Sequence, residues 1–186
     1  CSALTRLLVP VELVEQVHAL LQQEMPMLNV GCSLDETSRV GPLISQHQQD
    51  NVRGLLDQGE EQGATLIAEG GTVPDHGFFV RPCAYAVTED NTLAFNEIFG
   101  PVLSVLTYQD VDEAVRLANA TTYGLAAAVW GEESEAIAVA HRIRAGQVDV
   151  NGARFNALAP FGGYKQSGVG REGGAFGVEE FLQVKS

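Results

Sequence analysis

Residues 102 to 150 alternate short apolar runs with amphipathic stretches, and this rhythm restricts the fold more than any other feature of the chain. Val102-Leu103-Ser104-Val105-Leu106-Thr107-Tyr108 follows a Gly-Pro break and reads as a buried strand. Asp110, with Glu113 three residues on, predicts the start of a helix. Val111, Ala114, Val115 and Ala118 make its apolar face. Residues 126 to 130 read as the next strand. Ser134 is the predicted cap of a second helix, with Ala136, Val139, Ala140 and Ile143 inward, Arg142 and Arg144 in its last turn and Gly146 ending it. Residues 147 to 150 form another strand. Parallel neighbours need a crossover, and a helix is the usual one. The pattern predicts an α/β fold: a mostly parallel sheet flanked by helices in three layers.

The rest of the chain fits the same plan. Residues 4 to 9 are strand-like, and Pro10 suits a first helical position. Val14, Val17 and Leu21 recur at helical spacing until Met25-Pro26 ends the helix. Residues 29 to 42 are polar and Gly-punctuated, a loop. A second helix fits residues 46 to 62, with Val52, Leu55 and Leu56 inward and Gly63 as terminator. A short strand at 65 to 68 leads to a turn at Gly70-Gly71. Residues 77 to 87 read as extended, and Pro82 among them points to a sheet edge. Beyond Asn151 the rhythm breaks into a Gly-rich loop, a short helix at 174 to 180 and a strand-like run at 181 to 185. No repeat or linker interrupts the chain, so residues 1–186 are expected to form one domain.

Charge and cysteine usage exclude several classes. The 24 acidic residues outnumber the 11 basic ones, for a net charge of -13, and no Lys/Arg cluster stands out. A nucleic-acid partner is therefore excluded. Three cysteines are too few and too odd in number for a disulfide framework and suit a reducing, cytoplasmic compartment. No apolar run reaches membrane-spanning length. The four histidines lack metal-ligand spacing, so no metal site is expected.

Two places carry chemistry. Asn96-Glu97-Ile98-Phe99-Gly100-Pro101-Val102 sets a carboxylate and a ring at the entry to a strand, where loops carry function. A carboxylate can accept hydrogen bonds from two vicinal hydroxyls, as on a ribose, and a ring can flank a flat heterocycle. The residue types alone fit a plain loop carboxylate and a core phenylalanine as well. Cys1 is a nucleophile once deprotonated, although a lone cysteine is usually structural. Gly168-Val169-Gly170-Arg171-Glu172-Gly173 matches G-x-G-x-x-G, but no hydrophobic strand runs into it and no acidic ribose ligand follows at the usual distance. Its glycines read as letting a loop pass close to other backbone.

Taken together, these stretches resemble the C-terminal part of the NAD(P)-dependent aldehyde dehydrogenase superfamily. Cys1-Ser2-Ala3-Leu4-Thr5-Arg6 is similar to the family's nucleophile run, C-x-A-x-T-R. The 96–102 stretch is similar to its E-I-F-G-P signature. Tyr123-Gly124-Leu125-Ala126-Ala127, Val150-Asn151 and residues 160 to 172 match further family runs, in family order over essentially the whole chain. The resemblance implies that Cys1 attacks an aldehyde carbonyl to give a thiohemiacetal, that hydride passes to NAD or NADP, and that water cleaves the thioester. It implies that Glu97 holds the nicotinamide ribose hydroxyls and that Phe99 flanks the nicotinamide. Asn151 is implied in the floor of the active site, with Phe155 and Phe161 in the substrate tunnel. Arg154, beside that tunnel, reads equally as a partner for an acidic substrate tail or as a surface residue.

The chain opens on Cys rather than Met and is expected to be a piece of a longer one. In the family the cofactor domain, the general-base Glu and an oxyanion-binding Asn lie upstream of the nucleophile. A homodimer or homotetramer is implied for the whole protein. An oxyanion donor and a base are each worth orders of magnitude, so the 186-residue chain alone is expected to oxidise no aldehyde. Two other readings are a truncated, non-catalytic structural or interaction module and an N-terminal-Cys hydrolase, whose stacked antiparallel sheets suit this pattern poorly.

Overall fold

The computed structural model describes residues 2–154, 156–183 and 185. It divides into two compact units, residues 5–110 and residues 111–186 with the opening four.

The first unit is built on β1 (Arg6–Pro10), α1 (Val14–Glu24), α2 (Gln46–Glu61), β2 (Thr65–Glu69), β3 (Cys83–Ala86), the single-turn helix α3 (Thr92–Phe95) and β4 (Val102–Tyr108). The strands form one sheet in the order β1-β4-β3-β2. β1, β4 and β3 are parallel, and β2 joins β3 antiparallel with a register shift between Leu66 and Ala68. Successive side chains of a strand point to opposite faces, and the burial follows that rule. Ala84 and Val105 face α1, where Val14, Val17 and Leu21 pack with Val9 and Ile67. Cys83, Tyr85 and Val102 face the other way, against Val52, Leu55 and Leu56 of α2. Helix, sheet and helix make the three expected layers.

Two local expectations for this unit need correction, and one short helix is unexpected. β1 is followed by a 3-10 turn, Val11–Leu13, before α1 begins. Residues 77 to 87 yield only the four-residue β3, which lies inside the sheet rather than at its edge. Pro82 precedes the first paired residue, so its missing N–H costs no rung, and its carbonyl accepts from Gly70 N–H at 2.7 Å. Helix α3 is too short to leave a periodic signal. It rests on Asn91, whose side chain caps it.

The second unit holds α4 (Val111–Asn119), β5 (Tyr123–Gly124), β6 (Ala126–Val129), α5 (Glu133–Ala140), β7 (Gln147–Val150), β8 (Tyr164–Lys165) and α6 (Gly174–Glu179). β6 and β7 pair in parallel, Ala126 with Gln147 through Val129 with Val150. β5 and β8 pair antiparallel. The cap of α5 is Glu132, not Ser134: its carboxylate accepts from Glu135 N–H at 3.1 Å and from the Ser134 hydroxyl at 2.5 Å. Ser134 lies two residues past the cap position, inside the helix. α5 also stops at Ala140, so Arg142 and Arg144 lie beyond its last turn, and Arg142 reaches Asp112 at 2.6 Å.

The glycine-rich closing loop does bring backbones together. A Cβ on Gly146 would sit 1.6 Å from the Gly162 carbonyl oxygen, and one on Gly162 would sit 2.1 Å from that of Gly170. Phe161 and Glu172 exchange N–H to carbonyl bonds in both directions at 2.7 Å. Residues 181 to 183 form no strand, and Val184 lies outside the described residues. Among the described residues, no helix is long and apolar enough to cross a membrane, and no group of three or more His, Cys, Asp or Glu is placed to hold a metal.

Candidate functional site

The loop between α3 and β4 carries Glu97 and Phe99. At its start Asn96 donates through Nδ2 to the Thr92 carbonyl at 3.1 Å and to the Thr92 hydroxyl at 2.8 Å. In its middle Ile98 is buried and belongs to the core under α2. Phe99 takes φ 51°, a left-handed backbone that few non-glycine residues adopt. That backbone turns the carbonyls of Ile98 and Phe99 away from any ladder. Gln48 of α2 satisfies both, donating through Nε2 at 3.0 and 3.1 Å. The loop is thus anchored at Asn96, Ile98 and Gln48, while the side chains on either side of Ile98 stay outside.

Glu97 and Phe99 are exposed, Phe99 by 55%. The reading of Phe99 as a core residue therefore fails. Among the described residues the Glu97 carboxylate has no hydrogen-bond partner. A carboxylate without a partner and an open ring on a fixed backbone could take vicinal hydroxyls and a flat heterocycle.

The second unit carries Asn151, Arg154 and Phe161. Asn151 follows β7 at φ 51°, and its side-chain amide pairs both polar groups of Gly131. Arg154 is exposed. Phe161 is half-buried and lines a cavity of about 410 Å³ with Ser2, Leu4, Ala127 and Asp149. The residues just after the opening cysteine thus lie beside the closing loop. Cys1 and Phe155 themselves fall outside the described residues. Lys165, at φ 57°, donates through Nζ to the carbonyls of Asn119 and Thr121 at 2.9 and 3.0 Å. A cation at the C-terminal end of α4 is favoured by the helix dipole, and it ties the closing loop to that end. Arg171 also braces this loop, donating to the Gly163 carbonyl at 2.8 Å.

Of the other cysteines, Cys83 is buried, and its thiol is pushed up to about 12 by burial first and then by Glu69 and Glu60. It is an inert core thiol, as its sequence context suggests. Cys32 is exposed.

Sequence reasoning missed Gln48, Asn91 and Gly131. Gln48 lies 50 residues from the loop it holds, and nothing local marks it. Asn91 left one usable sign, a cap-type residue before a short apolar run. Gly131 contributes only backbone, which no residue-type pattern reveals.

The family profile described as Aldehyde dehydrogenase family matches residues 1–186. A Staphylococcus haemolyticus protein named as an aldehyde dehydrogenase is 46% identical over 191 residues, covering 100% of this chain and 40% of that protein. Aldehyde dehydrogenase C of Pseudomonas syringae, solved as a mutant with NAD+ and octanal, superposes with a TM-score of 0.92 at 42% identity, over 98% of this chain and 39% of that one. An aldehyde dehydrogenase of Mycobacterium tuberculosis complexed with NAD+ gives 0.93 at 39% identity, over 98% of this chain and 39% of that one. The chain belongs to the aldehyde dehydrogenase family. It spans about 40% of the length of the curated relatives it matches.

Proposed function

We propose that the full-length protein oxidises an aldehyde to a carboxylic acid through a thioester on Cys1. The observation that carries this reading is the family match along all 186 residues. Residue by residue, Cys1 supplies the thiolate that attacks the carbonyl carbon. Glu97 would accept hydrogen bonds from the nicotinamide ribose hydroxyls of a bound cofactor, and Phe99 would flank its nicotinamide. Asn151, Phe155 and Phe161 border the aldehyde, with Arg154 beside them. Bound there, NAD or NADP would supply the hydride acceptor, and water would cleave the thioester to release the carboxylic acid and restore the Cys1 thiol. Gln48 and Ile98 keep the Glu97–Phe99 backbone in place, so little ordering remains to be done when the cofactor arrives.

The full-length protein is proposed to be a cytoplasmic homodimer or homotetramer, and the 186-residue chain alone to turn over no aldehyde. The test is NAD(P)H formation by the full-length protein with a panel of aldehydes. Cys1→Ser should abolish turnover, because a serine hydroxyl is far less acidic than a thiol. Glu97→Gln should raise KM for the cofactor while leaving KM for the aldehyde alone. Full turnover by Cys1→Ser, or by the isolated chain, would sink the reading.

A further inference from the structure

β6 and β7 run parallel and in register as far as Val129 and Val150. One more backbone rung follows, from Asn151 N–H to the Val129 carbonyl at 2.9 Å. There the backbone leaves the sheet, with Asn151 at φ 51° and Gly152 at φ 71°. The Asn151 side chain continues where the backbone does not. Its Oδ1 accepts from Gly131 N–H at 3.0 Å, and its Nδ2 donates to the Gly131 carbonyl at 3.0 Å. A carboxamide offers the same donor and acceptor as a peptide group, so it completes Gly131 as a further strand residue would. Asparagine is also one of the few residues with a side chain that tolerates the left-handed region. Both requirements fall on this one position.

We infer that Asn151 is a positioning residue for substrate: it locks the turn after β6 to the end of β7 and so sets the direction of the segment that carries Arg154 and leads to Phe161. The inference rests on the proposal above that this segment borders the aldehyde. Loops at the carboxyl ends of parallel strands are where open α/β sheets bind ligands, and Asn151 stands at such an end. Its oxygen and one of its two N–H donors are already engaged by Gly131. Its influence on the reaction therefore runs through the loop it aims, and it should be felt most along the substrate chain.

Two variants of the full-length protein separate the requirements. Asn151→Gly keeps the backbone freedom and removes the amide. Asn151→Asp keeps the acceptor and the tolerance for positive φ but loses the donor to the Gly131 carbonyl. With saturating NAD, Asn151→Gly should raise KM for octanal about tenfold, the worth of one to two hydrogen bonds. KM for propanal should rise less than KM for octanal, and kcat should fall less with either aldehyde than KM for octanal rises. Asn151→Asp should fall between Asn151→Gly and wild type, and it carries the test if the glycine variant does not fold. A loss of about a hundredfold or more in kcat with both aldehydes would make the amide a contact to the reacting oxygen and overturn the inference. Wild-type kinetics in both variants would overturn it as well. Amide hydrogen exchange gives a readout independent of turnover. Protection at Gly131 N–H should drop in Asn151→Gly while the β6–β7 rungs keep theirs, and unchanged protection there refutes the lock. Absence of turnover by the wild-type protein would count against the proposed function and leave the exchange result to decide the role of Asn151.

Discussion

Replacing Asn91 by alanine removes two hydrogen bonds from a side chain that is 1% exposed. One is the cap of α3, from Leu93 N–H to Oδ1 at 3.0 Å; the other runs from Nδ2 to the Gly59 carbonyl of α2 at 2.9 Å. Loss of an N-cap costs about 1 kcal/mol. The Gly59 carbonyl keeps a second donor, Ala64 N–H at 2.9 Å. It is not orphaned, so its share is an ordinary bond of about 1 kcal/mol rather than a full desolvation penalty. The small void left behind adds up to about 1 kcal/mol. The sum is about 2–3 kcal/mol. Asn91→Ser keeps a capping oxygen and should cost about half as much. Asn91→Asp keeps shape and cap but sets a buried carboxylate against the Gly59 carbonyl, so it should cost at least as much as alanine. Urea unfolding of the full-length protein, followed by circular dichroism, reads these values from the midpoint at unchanged slope. Exchange at Leu93 N–H reports the cap directly. An alanine variant within about 0.5 kcal/mol of wild type would refute this account of the loop's support, and so would a serine variant as damaging as alanine. Because α3 runs straight into Asn96, the same alanine variant should weaken cofactor binding more than aldehyde binding.

Gln48→Ala frees the Ile98 and Phe99 carbonyls and should raise Kd for NADH about five- to tenfold, measured by fluorescence titration of the full-length protein. Unchanged affinity would mean that the loop needs no such anchor. Under native conditions iodoacetamide should label Cys32 and spare Cys83, which reacts only after unfolding, as read by peptide mass spectrometry. Glu132 is held below the usual carboxylate range by hydrogen bonds from the Ser134 hydroxyl and then from Glu135 N–H. A depressed folded-state pKa gives stability that is present above the unfolded value and lost as pH falls through the folded one. Hydrogen-exchange protection at the start of α5 should therefore fade as pH falls from the usual carboxylate range to below it. Glu132→Gln should remove that pH dependence; a variant that still loses protection there would assign it to another group.

Strand β4 and helices α2 and α4 are legible in the residues because each buries a face, and burial demands apolar side chains at a fixed spacing, while the half-buried β6 and β7 are legible as short apolar or alternating runs between helices. The signature loop was equally legible, since its Gly-Pro break and paired carboxylate and ring are local features. Tertiary structure alone decided the rest, wherever the deciding group is backbone or lies far along the chain. Ser134 is the better cap by residue type, and only the backbone, non-helical at Glu132 with φ -56° and ψ 136°, makes Glu132 the cap. Pro82 looks like an edge marker until pairing shows that the sheet begins one residue later. Gln48 meets Ile98 and Phe99 across 50 residues or more, and Asn151 meets the backbone of Gly131, a group that every residue possesses. Periodicity records which side chains avoid water, but not which carbonyl a distant amide will find, because that partner exists only once the chain has closed on itself.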